Sequence, residues 1–391
     1  MKNGRIWIAM MTIFMLVMTV FLGGGKTLWR KLQYEGQRVV QKYTQEMYMP
    51  GVLWNPEEEQ SVWVMKQAFA WFPLAGYFID QEALSFQMED TETIAKILES
   101  QANDENVVDT QGNLVGENKT ADAPVAIAEG GSTIDMSIES LRNFDYLLNT
   151  FYTVDSSTMI GPEQLNADDL LGRSMKITQT ANEPKVLIFH THSQEEFADS
   201  IPGDPSTSIV GMGEYLTELL NKRGIPTIHD TGVYDIINGQ LDRSNAYEYA
   251  EAGVRPILEA NPSIEVAIDL HRDGVAEGTH LVTEVNGKPT AKIMYFNGLS
   301  RTRTNGDIEY LHNPYIQDNL AFSLQMELAS ERMFPGFARH IYLRAYRYNL
   351  HLLPKSLLIE AGAQTNTVEE MRNAMEVLSE VLYEVLVNKE Q

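Results

Sequence analysis

Two histidines and two glutamates follow directly on a short apolar run in residues 185–197, which read KVLIFHTHSQEEF. The run VLIF predicts a buried β-strand, and His190, His192, Glu195 and Glu196 come just after it. The chain has no cysteine, so any metal must be held by His, Asp or Glu. Neutral imidazole and carboxylate are ligands that suit zinc, and three of them with a water make a hydrolytic site.

Two further segments carry similar residue types at the ends of predicted strands. The sequence DLHRD, residues 269–273, follows the apolar residues VAI, and Glu360 stands inside LLIEAG. A carboxylate in an apolar strand is costly unless it faces a metal, a cation or a solvent-filled cleft. Because the carboxyl ends of parallel strands meet at one edge of a sheet, the three segments can form one site. A carboxylate that is not a ligand could then take a proton from the attacking water.

Each of these features also has a structural interpretation. His-x-His at a strand end is more often structural than metal-binding, and Arg272 could pair with Glu360 or with Asp273. His190 and His192 could face one site together, or one could bind while the other orients it. The repetition at three strand ends is what favours a metal site. We take the remaining histidines as surface or core residues: His229, His280, His312, His340 and His351.

Alternating strands and helices must position these residues. From residue 185 onward, the apolar patterns predict strands at VLIF, IPTIHD, IEVAIDL, THLVTEV, AKIMYFNG and SLLIEAG, with Asn286-Gly287 as a hairpin turn. Helices are predicted over Leu141–Thr153, Gly211–Lys222, Asn245–Ala260, Ile316–Met333 and Thr367–Asn388. This alternation is typical of a three-layer α/β domain with a mostly parallel central sheet.

The N-terminal residues predict a membrane anchor. The stretch from Ile6 to Leu22 carries no charge. Its length is at the short end of what crosses a bilayer. The alternative is a cleaved signal peptide, but no A-x-A-like site follows the apolar stretch. We therefore expect residues 1–25 to form a cytoplasmic tip and a transmembrane signal anchor, with the rest of the chain outside the cytoplasm. The net charge of −24 argues against nucleic acid as a partner.

Composition divides the rest of the chain into three parts. Residues 26–98 are rich in aromatics and predict a juxtamembrane region packed on or near the membrane; a second span near 61–79 is interrupted by Lys66. Residues 99–135 are polar and predict a flexible linker. Residues 136–391 form the predicted α/β catalytic domain.

Several ordered blocks resemble the stage II sporulation protein P family of endospore-forming bacteria. They are NFDYLLNTFYTVDSST, IFHTHSQEEFADS, IDLHRDG and FARHIYLRAYRYNLHLLPKSLLIEAGAQTNTVEE, which together run from about Leu141 to the C-terminus. That family is similar to the zinc-dependent N-acetylmuramoyl-L-alanine amidases of cell-wall turnover. The resemblance thus implies a zinc amidase-like fold.

Carried over residue by residue, the resemblance implies His192, Glu195 and His271 as zinc ligands and Glu360 as the catalytic base. The acidic ligand is where the match departs from the broader amidases, whose acid comes at the start of the first helix. Pro205 to Gly213 contain no acidic residue here. Other acids therefore remain candidates for the third ligand: Glu196, Asp199, Asp204 and Glu214.

His190 has no counterpart in the broader amidases. We expect His190 and Arg272 to contact substrate or to hold the metal ligands in place without binding the metal themselves.

The same resemblance implies a biological role. Enzymes of that family remove stem peptides from glycan strands by cutting the N-acetylmuramoyl-L-alanine amide, and they are also associated with cutting peptide cross-links. The setting is forespore engulfment, at the mother-cell membrane facing the septal wall. The implied partners are peptidoglycan, the lytic transglycosylase stage II sporulation protein D and the membrane protein stage II sporulation protein M.

Two alternatives remain. One is a non-catalytic, membrane-anchored wall-binding module, which metal content would separate from an enzyme. The other is a metal-dependent amidohydrolase barrel, which also opens with His-x-His at a first strand. A barrel of that kind needs eight βα units, and strand count separates it from the open sheet predicted here.

Overall fold

The structure, a computed structural model, describes residues 106, 108–109, 111–114, 134–178, 183–237, 239–241, 243 and 245–388. The predicted anchor over 1–25, the aromatic-rich region over 26–98 and most of the predicted linker lie outside these residues. Among the helices that are described, none is both long and apolar enough to cross a membrane.

Short strands and longer helices alternate along the described chain. The strands are β1 (Tyr152–Val154), β2 (Val186–Phe189), β3 (Thr227–His229), β4 (Ile236–Ile237), β5 (Gln240–Leu241), β6 (Val266–Asp273), β7 (Val282–Val285), β8 (Lys288–Ala291), β9 (Ile293–Gly298), β10 (Arg301–Thr302), β11 (Gly306–Asp307), β12 (Ala338–Arg344) and β13 (Lys355–Ala363). The α-helices are α1 (Ile138–Leu141), α2 (Phe144–Phe151), α3 (Ala167–Gly172), α4 (Ile209–Lys222), α5 (Ala246–Ala260), α6 (Ile316–Met333) and α7 (Val368–Leu386). Short 3₁₀ helices cover Pro205–Thr207 and Glu309–Leu311.

The central sheet, within the described residues, has seven strands in the order β1-β12-β9-β13-β6-β2-β3. All neighbouring strands are parallel except β13 and β9, which are antiparallel. The prediction of a mostly parallel sheet is confirmed. The antiparallel join leaves β13, β6 and β2 as adjacent strands that run the same way, so the three predicted segments share one edge of the sheet. The sheet is open, and its outermost strands are β1 and β3. An open sheet excludes the barrel alternative.

Side chains alternate between the two faces along each strand, so both faces of the sheet carry apolar residues. Helices and loops cover both faces. On one face, residues such as Ile188 and Leu270 join the main core with α4, α6 and α7. On the other face, Leu187, Phe189 and Ala267 pack with α5. The predicted three-layer arrangement is therefore confirmed, and the two faces have separate apolar cores.

Most predicted elements occur close to their predicted bounds. Helix α6 spans the predicted residues, and α7 begins after Thr367, which forms a capping box with Glu370. The Asn286-Gly287 turn joins β7 to β8, with φ of 54° and 77°.

Two predictions at this level are wrong. The segment AKIMYFNG is not the second hairpin strand, because β9 leaves the hairpin and pairs with β13 and β12 in the main sheet. The predicted helix over Leu141–Thr153 is broken into α1 and α2 and ends in strand β1, which pairs with β12.

Part of the predicted linker lies against the domain. Asn106 N donates to Gly274 O at 2.8 Å, and the Asn106 amide donates to Asp273 Oδ1 at 2.6 Å. Arg339, which is fully buried, donates to Gly112 O and forms an ion pair with Asp273 at 2.6 Å. The described residues between 106 and 114, which we call the arm, are thus held by β6 and β12; the domain boundaries themselves stay predictions.

Candidate active site

A buried carboxylate fixes the chain as it leaves β2. Phe189 at the end of β2 pairs with Asp269 on β6. Asp269, which is 1% exposed, accepts hydrogen bonds from Thr191 N at 2.8 Å and from Thr191 Oγ1 at 2.6 Å. These two bonds stop the regular strand and hold the following residues against β6. The side chain of His192 is therefore placed by Asp269 and not by continued strand pairing.

His192, Glu195 and His271 form one compact cluster. One potential ligand atom from each lies within 4.8 Å of the others. His192 Nδ1 is 3.5 Å from Glu195 Oε1, and His271 Nδ1 is 3.9 Å from Glu195 Oε2. Glu195 and His271 are almost completely buried, while the side chain of His192 is 16% exposed. The predicted three ligands are brought together, with His192 on the solvent side.

The carboxylate of Glu195 is kept ionised by its neighbours. Burial alone would raise the pKa of Glu195, but His192 and His271 outweigh burial and hold that pKa well below its usual value. The backbone N–H of Arg272 also donates to Glu195 Oε2 at 2.8 Å. The cluster thus offers a charged carboxylate to a cation.

Asp269 also orients His271. His271 Nε2 lies 2.8 Å from Asp269 Oδ1, at ion-pair distance though without good hydrogen-bond alignment. Burial lowers the pKa of His271, but the Asp269 charge outweighs it and holds this pKa well above the usual value. This contact leaves Nδ1 of His271 on the Glu195 side. A carboxylate that fixes the second nitrogen of a metal-binding histidine is a common supporting contact in zinc sites.

Glu360 lies on the strand next to His271. Glu360 on β13 and His271 on β6 are paired in register, which puts both side chains on the same face of the sheet. The pairing shifts just after Glu360, where Gly362 has φ of 58°. A side chain at Gly362 would also meet Met371 Sδ at 2.5 Å. Glycine at this position therefore permits the bend that ends the pairing beside Glu360.

The environment of Glu360 suits a proton acceptor. Burial, with the negative charges of Asp273 and Glu195 nearby, holds the pKa of Glu360 well above its usual value despite the opposing effect of His271. A carboxyl with a raised pKa can hold a proton near neutral pH and release it again.

Three buried atoms of this cluster lack a hydrogen-bond partner among the described residues: His192 Nε2, His271 Nε2 and Glu360 Oε2. His271 Nε2 has the Asp269 carboxylate 2.8 Å away. Buried polar atoms without a partner are costly, so His192 Nε2 and Glu360 Oε2 need an additional group in the cluster. Two imidazoles and a carboxylate are a donor set that fits zinc and several other divalent ions. The residues present thus fit the implied metal.

The other acidic candidates lie outside this cluster. Asp199 Oδ1 accepts from Val368 N at 2.7 Å, and Asp204 Oδ1 accepts from Ser206 N. Glu214 Oε2 lies 3.0 Å from His229 Nδ1, and Glu196 is exposed to solvent. Within the described chain, Glu195 is the acid that shares the cluster with the two histidines.

The two remaining predicted site residues support the cluster from other directions. His190 is fully buried; its Nδ1 lies 2.7 Å from Leu270 O and its Nε2 lies 2.8 Å from His229 Nε2. Burial lowers the pKa of His190 to about 3. From this position His190 reaches neither His192 nor solvent, so it does not face one site with His192. The guanidinium of Arg272 donates to Asp273 O at 3.0 Å, while its backbone N–H holds Glu195.

Three residues of the site were not predicted: Asp269, Tyr247 and Arg243, whose guanidinium lies 3.8 Å from Glu195 Oε1. Asp269 was visible in the sequence as a carboxylate inside the apolar strand VAIDL, the same signal that identified Glu360. Tyr247, on α5, has its ring 5.7 Å from the ring of His192 and 6.5 Å from that of His271. No sequence signal marked Tyr247, because its contact with the histidines depends on how α5 packs on the sheet.

Comparison with known proteins places the chain in a family. The model of the family Stage II sporulation protein P matches residues 77–383. Stage II sporulation protein P of Bacillus subtilis (strain 168) is 23% identical over 229 residues, which are 54% of this chain and 54% of that protein. The chain therefore spans about half the length of the curated relative it matches.

Solved structures with lower similarity include bacterial amidases. The CwlD amidase from Clostridioides difficile, solved in complex with the GerS lipoprotein, is 16% identical, with 51% of this chain and 94% of that chain covered and a TM-score of 0.32. An N-acetylmuramoyl-L-alanine amidase of Nostoc punctiforme is 12% identical, with 52% and 98% covered and a TM-score of 0.30. The family model covers well over half of the chain, and the chain belongs to the Stage II sporulation protein P family.

Proposed function

We propose that this chain is a zinc-dependent peptidoglycan hydrolase that cuts the amide between N-acetylmuramic acid and L-alanine. The observation that carries the proposal is the placement of four predicted residues at one edge of the sheet. His192, Glu195 and His271 lie within ligand distance of one another, and Glu360 is paired in register with His271. Membership in the sporulation family supports the choice of peptidoglycan as substrate.

The residues of the chain divide the chemistry between them. His192, Glu195 and His271 would hold the ion, and Asp269 would keep His271 turned toward it. When bound, zinc supplies a Lewis acid that polarises the scissile carbonyl and lowers the pKa of water to near 7. Glu360 accepts the proton of the attacking water and passes it to the leaving nitrogen of L-alanine. The water oxygen bonds to the lactyl carbonyl carbon and the C–N bond breaks as the nitrogen takes up the proton. The products are a free lactyl carboxylate on the glycan and a free alanine amine on the peptide.

The setting of this activity is also part of the proposal. The predicted anchor over residues 1–25 would hold the catalytic domain outside the cytoplasm, at the mother-cell membrane facing the septal wall during forespore engulfment. An enzyme that degrades wall must act on that side of the membrane, and an anchor would confine it to the membrane front. Stage II sporulation proteins D and M are the proposed partners.

Mass analysis of the products formed from isolated peptidoglycan tests the proposal. The full chain and Glu360→Gln are each incubated with isolated peptidoglycan, with and without a chelator. We expect intact stem peptides with a free N-terminal alanine from the untreated wild type alone. Peptides cut within the cross-links would show an additional endopeptidase activity. Peptidoglycan that is bound but not cut by the zinc-loaded wild type would contradict the proposal and favour the wall-binding module.

A further inference from the structure

Behind the ligand-bearing edge of the sheet, three polar side chains form a continuous row that the proposed chemistry does not use. His190 Nδ1 lies 2.7 Å from Leu270 O, and its Nε2 lies 2.8 Å from His229 Nε2. His229 Nδ1 lies 3.0 Å from Glu214 Oε2. We call His190, His229 and Glu214 the histidine relay.

The histidine relay runs from the core to the surface, on the sheet face opposite the ligands. His190 is 0% exposed, the side chain of His229 is 3% exposed and that of Glu214 is 62% exposed. Leu270, whose carbonyl His190 contacts, has its side chain in the core under α4, α6 and α7. The relay therefore reaches the ligands through the backbone between the faces, because Leu270 O belongs to the residue just before His271.

Donors and acceptors in the histidine relay can be assigned in order. A carbonyl oxygen only accepts, so His190 Nδ1 must carry the hydrogen. A neutral His190 then has an acceptor at Nε2, and His229 Nε2 must donate to it. On its other side, His229 Nδ1 lies 3.0 Å from the exposed Glu214 carboxylate, and this contact orients the His229 ring.

Space for the histidine relay is created by Gly213 on α4. A methyl group at this position would clash with the His190 ring and would lie 2.7 Å from His229 Nε2. The helix therefore approaches the two imidazoles as closely as a glycine allows. The two rings meet edge to face, with centroids 5.1 Å apart, so both are held in fixed orientations.

We propose that His229 and Glu214 are positioning residues for the two histidine ligands and act through His190. His190 lies two residues before His192 and holds the carbonyl just before His271, so it fixes the backbone next to both ligands. The contact of His229 with His190 Nε2 keeps His190 in the orientation that binds Leu270 O, and the contact of Glu214 with His229 Nδ1 keeps His229 in place. This inference rests on the proposed function, because it requires a metal at His192 and His271.

Zinc affinity of the full chain, measured by competition with a chromophoric chelator, tests the proposal. His229→Leu removes the donor to His190, and we expect the Kd for zinc to rise about tenfold, the lower end for a residue that supports ligands from behind. His229→Gln restores a donor at the same place and should return the Kd to within about twofold of the wild type. Glu214→Gln changes only an exposed side chain and should weaken binding in the same direction. His280→Leu, which also removes a histidine–glutamate contact, is the matched control and should leave the Kd unchanged.

The visible spectrum of the cobalt-substituted protein provides a second measurement, because it reports ligand geometry and does not respond to loss of stability alone. We expect a shifted spectrum for His229→Leu and a wild-type spectrum for His229→Gln. Zinc affinity and cobalt spectra that are unchanged in both His229→Leu and Glu214→Gln would overturn the inference while leaving the proposed function intact. A His229→Gln variant that binds zinc as weakly as His229→Leu would also overturn it. The shape of the side chain, and not its hydrogen-bond donor, would then explain the effect. A wild type that binds no zinc would overturn both proposals together.

Discussion

Glu360 and His271 are paired residues on the neighbouring parallel strands β13 and β6. Their side chains lie on the same face, about one strand spacing of 4.8 Å apart at the backbone. Glu360 is also paired with Met294 on the antiparallel strand β9. The position of the proposed base relative to a proposed ligand is therefore fixed by strand pairing on both sides and does not depend on a loop.

Glu360→Gln should abolish proton transfer while leaving the metal cluster in place. Glutamine keeps the size of the side chain but cannot accept the proton, so we expect the rate of stem-peptide release to fall by about 10²- to 10⁴-fold. Zinc content by elemental analysis should match the wild type. Loss of zinc together with activity would instead make Glu360 a ligand.

Glu195 and Glu196 offer a test with adjacent residues of the same type. Glu195 lies within 4 Å of both proposed histidine ligands, while Glu196 is exposed. Glu195→Gln removes the ionised carboxylate of the cluster, and we expect the Kd for zinc to rise by at least about tenfold. Glu196→Gln should leave the Kd unchanged. Equal effects of the two substitutions would show that general negative charge, and not ligation, explains zinc binding.

Glu327, which the proposed chemistry does not use, should make stability depend on pH. It is 4% exposed on α6, and its Oε2 has no hydrogen-bond partner within the described chain. Burial holds the pKa of Glu327 well above 4.5. A folded-state pKa above the unfolded one means that stability is full below about pH 4.5 and falls as pH rises toward the folded-state value.

Glu327→Gln removes this pH dependence. We expect it to be more stable than the wild type at pH 7, with the difference vanishing below about pH 4.5. Urea unfolding across this range measures the effect, and exposed Glu259→Gln is the control. A stability difference that does not change with pH would contradict a raised pKa.

The ion pair between Arg339 on β12 and Asp273 on β6 should be a major stabilising contact of the domain. Both side chains are buried, at 0% and 2% exposure. Arg339→Met leaves the buried Asp273 carboxylate without its cation, and we expect a loss of about 3 to 5 kcal/mol of unfolding free energy. Adding Asp273→Leu removes the uncompensated charge and should recover part of that loss. Arg339→Met with wild-type stability in urea unfolding would show that the pair contributes little.

The sequence predicted the elements whose patterns are local. The long helix α6 and the capped helix α7 could be read from the sequence, and β2, β6 and β13 from their apolar runs. Strand β12 was missed: its buried and less buried positions alternate, but Arg339 is buried and Tyr342 is less buried, so the sequence itself does not alternate apolar and polar residues. Strand β1 has three residues, too few for any period to show, and forms because β12 provides an edge for it to pair with.

The candidate site was predictable to the extent that its residues stand at strand ends. His192, His271 and Glu360 were found in that way, and Glu195 came from the family resemblance. The placement of His192 away from His190 was not predictable, because Asp269 binds Thr191, between the two histidines, and ends the alternation of the strand there. His229 and Glu214 are far apart in sequence from His190, and only the packing of α4 on the sheet brings them together.

Zinc content and stem-peptide release, measured on the same samples, test the central claim most directly. The samples are the full-length wild type, Glu195→Gln and Glu360→Gln, each dialysed against zinc and then incubated with isolated peptidoglycan. We predict one zinc in the wild type and in Glu360→Gln, little in Glu195→Gln, and release of stem peptides with free N-terminal alanine by the wild type alone. Stem-peptide release by a wild type that binds no zinc, or by Glu360→Gln at the wild-type rate, would contradict the account.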